Sequence, residues 1–181
     1  MMANKKAELR KRFRRERQDR FIPASFSLLL SAPEIKSAKI IATYISRRDE
    51  PDTEELNHEL LKRGINLILP RVDGKVLQWV EWSGDASTLV EAKGLLEPIG
   101  PPLTDISSID VVIVPALHID RDGYRLGQGG GFYDRALVSM PGWKVGLVHS
   151  GEITGEPPPR EEHDVRLSAA ATPDLIVRFT R

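Results

Sequence analysis

Within residues 109–137 an apolar, β-branched run, IDVVIV, leads to a turn crowded with glycine and charge, RLGQGGGFYDR, and then to a helix-like segment. No other feature narrows the choice of fold as far. The run reads as a buried strand, and a strand that feeds a helix in this way belongs to α/β architecture. The glycines let the main chain take left-handed conformations and lie close to a ligand, so successive N–H groups can converge on an anion.

The rest of the chain repeats the alternation. Residues 5–20 contain neither Pro nor Gly and set Leu9 and Phe13 four apart, which predicts a helix with one narrow apolar stripe; Lys6 and Arg10 share a face beside it. A short helix is expected over 25–31 and a buried strand over 40–45. After a polar loop, a helix capped by Asp52 or Thr53 should run to Arg63 and stop at Gly64. Residues 66–69 and Val76–Trp82 read as strands joined around Asp73 and Gly74, and 84–108 as an irregular loop over the core. A helix over 133–139 and strands over 143–149 and 175–179 complete the pattern. The expectation is one three-layer α/β domain spanning 1–181, with a central, mainly parallel sheet flanked by helices.

A length of 181 residues suits one substantial core rather than two. The absence of cysteine excludes thiol catalysis, disulfides and thiolate metal sites, and fits a reducing compartment. No apolar run approaches the ~20 residues of a membrane span. The polar N-terminus does not read as a secretory signal, and Glu8, Glu16 and Asp19 argue against a transit peptide, so cytoplasm is the expected location. Net charge is zero but uneven: residues 1–20 set nine basic side chains against three acidic ones, a net +6. That end needs solvent or an anionic partner.

The turn matches neither common nucleotide motif. No Lys-Ser or Lys-Thr follows a glycine, so it is not a P-loop, and Phe132 stands where a dinucleotide fingerprint needs its third glycine. Glycines alone would make only a tight turn. With Arg125 upstream and Asp134 opening the helix, a phosphate can meet an arginine and a helix N-terminus while the carboxylate holds a cation beside it. Asp120, Asp122 and Gly123 begin like a calcium loop, but Gly131 occupies the twelfth position, so a surface turn is the better reading. The segment REEHD, 160–164, lacks a second histidine for zinc and reads as a solvated loop. The basic helix could bind RNA or DNA, yet no aromatic stacking partners are interleaved with its charges.

RLGQGGGFYDR resembles the ATP-binding signature of the 5-formyltetrahydrofolate cyclo-ligase family. KAELR, ISRRDEPDTEEL, GLLEP and REEHDV resemble further landmarks of that family in the same order, so the resemblance covers most of the chain. It departs from common family residues at Gln128, Gly130, Phe132 and Lys93. The resemblance implies ATP-driven cyclisation of 5-formyltetrahydrofolate to 5,10-methenyltetrahydrofolate with release of ADP and phosphate. ATP would be bound by Lys6, Arg10, Arg125, Leu126, Gly127, Gln128, Gly129, Gly130, Gly131, Phe132 and Tyr133, with Arg125 and Lys6 catalytic. Tyr133 either lines the nucleotide or packs under the turn. Ile45 and Glu50 would contact the folate together with Gln128, Gly129, Gly130, Gly131 and Phe132, and Asp134 and Asp164 would hold magnesium. The basic helix, about 5–20, would pack onto the ATP site and stay partly mobile until phosphate arrives. The expected partners are 5-formyltetrahydrofolate and ATP, without nucleic acid or membrane, in a monomer or weak dimer. The alternatives are another ATP- or phosphate-ester-using α/β enzyme and, further off, an RNA-binding protein.

Overall fold

A computed structural model describes residues 2–180. The basic helix α1 (Met2–Arg20) is followed by a 3-10 turn, Ser27–Ser31, and by α2 (Pro33–Ser37), β1 (Ile40–Ala42), α3 (Glu54–Lys62), β2 (Asn66–Asp73) and β3 (Val76–Trp82). Strands β4 (Leu89–Ala92) and β5 (Leu95–Pro98) form a hairpin, after which come β6 (Val111–Pro115), β7 (His118–Asp120), β8 (Arg125–Leu126) and α4 (Phe132–Leu137). The chain closes with β9 (Trp143–Leu147), β10 (Ile153–Thr154), β11 (Ala169–Ala171) and β12 (Ile176–Arg178).

The main sheet has the order β12-β11-β9-β6-β1-β2-β3. Its inner pairs, β11 with β9, β9 with β6, β6 with β1 and β1 with β2, are parallel, and only the edge strands β3 and β12 run antiparallel. Alternation sorts the side chains cleanly. Ile41, Val111, Ile113, Ala169 and Ala171 face a core shared with Leu29, Ile35, Leu56 and Leu60, while Ala42, Val112, Val114 and Ala170 face Ile119, Leu137 and Met140. Such a sheet needs a cover on both faces. One cover is helical; the other is α4 with a small sheet of order β10-β7-β8. The expected mainly parallel α/β sheet is therefore present.

Helix α3 is capped differently from either expectation taken alone. Asp52 Oδ1 accepts from the Glu54 N–H at 2.9 Å, whereas the Thr53 hydroxyl donates to the Tyr44 carbonyl at 2.6 Å and ties the loop to the end of β1. Gly64, at φ 76°, ends the helix as expected.

Several elements differ from the sequence-based expectation. The stretch 84–108 contains the β4–β5 hairpin, whose turn places both Lys93 (φ 52°) and Gly94 (φ 76°) in the left-handed region. That geometry normally announces itself through Asn-Gly or Asp-Gly, and a lysine hides it. Strand β11 is three alanines, a residue type that favours helix; its place between two cores decides its conformation. Asp120 is buried, not at a surface turn: its Oδ1 accepts from the Asp122 and Tyr124 N–H groups and closes the β7–β8 hairpin. The 160–164 loop is tied down as well, through Arg160 to Asp120 at 3.1 Å.

Candidate active site

Chain direction creates the site. From β1 the chain crosses through α3 to β2 on one side, and from β6 it crosses through α4 to β9 on the other, so adjacent β1 and β6 form a topological switch point. A crevice opens outside the carboxyl ends of such strands. Here a cavity of about 250 Å³ is lined by Tyr44 and Ile45 just past β1 and by Pro115 at the end of β6. The glycine turn closes one wall, and Pro70, Val72, Leu77, Leu95 and Leu96 supply an apolar one.

Hydrogen bonding at the turn explains how its backbone can serve a ligand. Arginines take the carbonyls: Arg10 Nε donates to Gly127 O at 3.0 Å, Arg14 Nη2 to Gln128 O at 2.8 Å and Arg135 Nη2 to Gly130 O at 3.1 Å. In a trans peptide the carbonyl and the following N–H point in opposite directions. The N–H groups of Gln128, Gly129 and Gly131 therefore turn the other way, and no described residue accepts from them. Gly129 (φ 112°) and Gly131 (φ 65°) hold conformations that side-chain-bearing residues resist. A Cβ at Gly127 would lie 2.5 Å from Arg125 Nη1, so a side chain there would have to displace that guanidinium.

Arg125 lies under this turn. Its guanidinium donates to Asp134 Oδ1 at 2.6 Å and sits 5.6 Å from the centre of the Tyr133 ring, while its buried Nε has no partner. Burial lowers its pKa, opposed by the Asp134 charge. Tyr133 both lines the cavity and packs edge-on against Trp79, with ring centres 6.2 Å apart. Burial pushes its phenol far up, keeping it neutral.

Helix α1 brings further charge. Lys6, Leu9, Phe13 and Arg17 are buried along its inner face; Leu9 and Phe13 cluster with Leu126, and Phe13 stacks on His118 at 4.3 Å. Leu126, expected among the ATP contacts, thus spends its side chain on packing under α1 and does not line the cavity. Lys6 Nζ donates to Glu161 Oε2 at 2.7 Å and Asp164 Oδ2 at 2.9 Å. Burial would lower the Lys6 pKa, but these two carboxylates outweigh it and raise the value. Neither Lys6 nor Asp164 lines the cavity itself. The expected metal carboxylates are each ion-paired, Asp134 to Arg125 and Asp164 to Lys6. The one cluster of three metal-capable groups among the described residues is Glu161, His163 and Asp164, which leaves Asp134 outside it.

Ile45 and Glu50 line the opposite wall, where Glu50 Oε2 accepts from the Arg47 N–H at 2.9 Å. Burial raises the Glu50 pKa, and the Arg47 N–H offsets this only in part. The folded state therefore holds this proton more tightly than the unfolded chain, and ionising Glu50 costs stability as pH rises above the ordinary value of 4.5. Glu50→Gln is expected to raise the thermal midpoint relative to the parent at pH 7 and to lose that advantage below pH 4.5. A gain that is equal at both pH values would remove the buried-carboxylate explanation.

Sequence reasoning missed Arg14, Arg47 and Glu97. Arg14 was accessible by helical spacing, four residues beyond Arg10. Glu97 is buried and accepts from the Val72 N–H at 2.9 Å, holding the β4–β5 hairpin against β2, a long-range contact that carries no local signal.

Comparison with known proteins gives this geometry a lineage. Residues 2–173 match the model of the 5-formyltetrahydrofolate cyclo-ligase family. The Mycolicibacterium smegmatis 5-formyltetrahydrofolate cyclo-ligase is 36% identical over 148 residues, covering 76% of this chain and 75% of that one. The Escherichia coli K12 protein of the same name is 29% identical over 170 residues, covering 89% and 92%. The solution structure of Aquifex aeolicus 5,10-methenyltetrahydrofolate synthetase aligns with TM-score 0.80 and 32% identity over 97% of this chain and 93% of that one. A family match over nearly the whole chain, relatives of one name and a shared fold agree: the chain belongs to the 5-formyltetrahydrofolate cyclo-ligase family of ligases.

Proposed function

We propose that this chain uses ATP and magnesium to close 5-formyltetrahydrofolate to 5,10-methenyltetrahydrofolate, releasing ADP and phosphate. The observation that carries the ATP half of this reading is the turn itself. Its carbonyls are held by arginines, its N–H groups are free, and the guanidinium of Arg125, whose buried Nε has no partner, lies against Gly127. Free N–H groups arranged with a buried guanidinium favour a polyphosphate. Helix α4 has only six residues, so its dipole adds little and the cations carry the load.

The chemistry asks for positioning and charge stabilisation. The formyl oxygen is a poor leaving group. It attacks the γ-phosphorus, the bond to the bridging oxygen breaks and ADP departs; N10 then attacks the formyl carbon, the new C–N bond closes the ring and the phosphorylated oxygen leaves as phosphate. The N10 proton passes to water. Arg125, Lys6, Arg10 and the turn N–H groups stabilise charge on the transferring group. Ile45 and the apolar wall hold the pterin, and Glu50 accepts hydrogen bonds from its ring.

Carboxylate oxygens suit magnesium; Asp134 lies in the first turn of α4, just past the glycines, and Asp164 is paired with Lys6 of α1. Each is balanced by a cation, Arg125 or Lys6, that a phosphate can claim in exchange. Asp134 and Asp164 would hold the ion, which when bound neutralises phosphate oxygens. The test is to mix protein, 5-formyltetrahydrofolate, ATP and magnesium and follow methenyltetrahydrofolate absorbance. Product should form, and Asp134→Asn should raise the half-saturating magnesium concentration about tenfold or more, as expected for loss of one charged ligand. No product at high enzyme concentration would refute the function; an unchanged magnesium titration would remove Asp134 from the metal site.

A further inference from the structure

Between β1 and α3, residues 43–53 form neither helix nor strand, yet this stretch supplies Ile45, Arg47 and Glu50 to the cavity. A loop without a backbone ladder is set by side-chain bonds to its own main chain. Here those bonds converge on Thr53, which is 1% exposed. Its hydroxyl donates to the Tyr44 carbonyl at 2.6 Å and accepts from the Ser46 N–H at 3.2 Å, so it grips the main chain on both sides of Ile45. Ser46 Oγ accepts from the Thr53 N–H in return, at 3.2 Å. Asn57, buried one turn into α3, donates from Nδ2 to the same Tyr44 carbonyl at 3.1 Å and accepts from the Thr43 hydroxyl at 2.8 Å. Tyr44 closes the loop through its own hydroxyl, which donates to the Pro51 carbonyl at 3.1 Å.

A threonine at a helix start ordinarily turns its oxygen to the N–H groups of the first turn. Thr53 holds that position but gives α3 no side-chain cap; Asp52 accepts from the Glu54 N–H instead. The hydroxyl is thus diverted from the helix to the loop. Neither Thr53 nor Asn57 lines the cavity. We infer that Thr53, backed by Asn57, is a positioning residue for the reaction: it sets where Ile45 and Glu50 stand, and so the angle at which the cavity presents its ligand to the glycine turn. The inference rests on the folate reading of that cavity. Phosphoryl transfer needs the attacking formyl oxygen in line with the γ-phosphorus, and a wall that shifts carries the oxygen out of line. The glycine turn takes part in none of the bonds made by Thr53 and Asn57, so ATP affinity should not respond to their loss.

The test compares Thr53→Val, which keeps the shape and removes the hydroxyl, with Thr53→Ser, which keeps the hydroxyl. Thr53→Val should lower kcat/KM for 5-formyltetrahydrofolate about tenfold, part of the ~10²-fold that a 1 Å misplacement costs, while the dissociation constant for ATP, measured without folate, stays at the parent value. Thr53→Ser should return kcat/KM to near the parent value. Ile35→Val, a substitution in the core that also lowers the melting midpoint, controls for stability and should leave kcat/KM unchanged. A parental kcat/KM in Thr53→Val overturns the inference. So does a loss that Thr53→Ser or Ile35→Val shares in full, or one matched by a loss of ATP affinity. If Thr53→Val does not fold, the pair Thr43→Val, Asn57→Leu decides the matter. It replaces both members of one buried hydrogen bond by apolar groups of similar shape, at little cost in stability, and removes one of the two holds on the Tyr44 carbonyl. There kcat/KM should fall about threefold, and a parental value overturns the inference. A parent protein that does not turn over 5-formyltetrahydrofolate overturns the folate function, and this inference with it.

Discussion

Arg125→Ala is expected to lower turnover about 10³-fold or more, the scale at which a single arginine stabilises phosphoryl-transfer charge. Arg125 reaches the turn, the Asp134 carboxylate and the aromatic floor together. It underlies Gly127, pairs with Asp134 at 2.6 Å and faces the Tyr133 ring. Its removal also leaves Asp134 without a counter-charge, so the variant should lose roughly 1–3 kcal/mol of stability. That loss is separable from catalysis. In the double variant Arg125→Ala, Asp134→Asn no carboxylate is left unpaired, so stability should return toward the parent value while turnover stays low. Arg125→Lys keeps a charge but not the planar fork, and should recover only part of the rate. Near-parental turnover in Arg125→Ala, measured below its melting transition, would remove the residue from the mechanism.

The turn was legible because its signal is local. Glycines, an arginine and an aspartate within one short segment state both the backbone geometry and the charge, and the β6 run before it states the sheet. The walls facing the turn were not legible. Leu95, Leu96 and Glu97 reach the cavity on a hairpin whose turn begins with a lysine in a left-handed conformation, and sequence patterns assign that position to Asn or Asp. Strand β11 illustrates the same limit from inside the core. Alanine suits a strand with little room on either face, but as a sequence it reads as helix.

The basic end shows how charge counting misleads when burial is unknown. A net +6 over residues 1–20 suggested an external anionic partner or a helix waiting for phosphate. In the structure much of that charge turns inward: Lys6 to Glu161 and Asp164, Arg10 and Arg14 to the turn, Arg17 to Glu152, with Arg12 reaching Glu156 at the surface. Two of these cations are themselves candidates for phosphate, so the placement of α1 sets the strength of the site. What sets the placement of α1 is then the more general question, and Arg17 answers it.

Glu152→Ala is expected to release α1 from the sheet. The Arg17 guanidinium is buried, with Nε and Nη2 each donating to Glu152 at 2.7 Å and Nη2 also donating to Ala116 O at 2.7 Å. Glu152 in turn accepts from the His149 N–H at 2.7 Å, so a main-chain group as well as the helix holds it. Removing it strands a buried cation whose Nη1 already lacks a partner, at a cost of about 3 kcal/mol or more. Among the described residues Leu9 and Phe13 supply the buried apolar seam of this helix, which is narrow compensation. Hydrogen exchange should accelerate selectively in 5–20 while the parallel strands stay protected. With the helix loose, Lys6 and Arg10 are rarely in place, so the KM for ATP should rise about tenfold or more, because affinity scales with the docked fraction. The apolar pair Arg17→Met, Glu152→Leu should restore both protection and the KM for ATP, since neither side chain then carries an unpaired buried charge. If exchange quickens but the KM for ATP does not move, α1 anchors the fold without serving the nucleotide, and Lys6 and Arg10 lose their place in the mechanism.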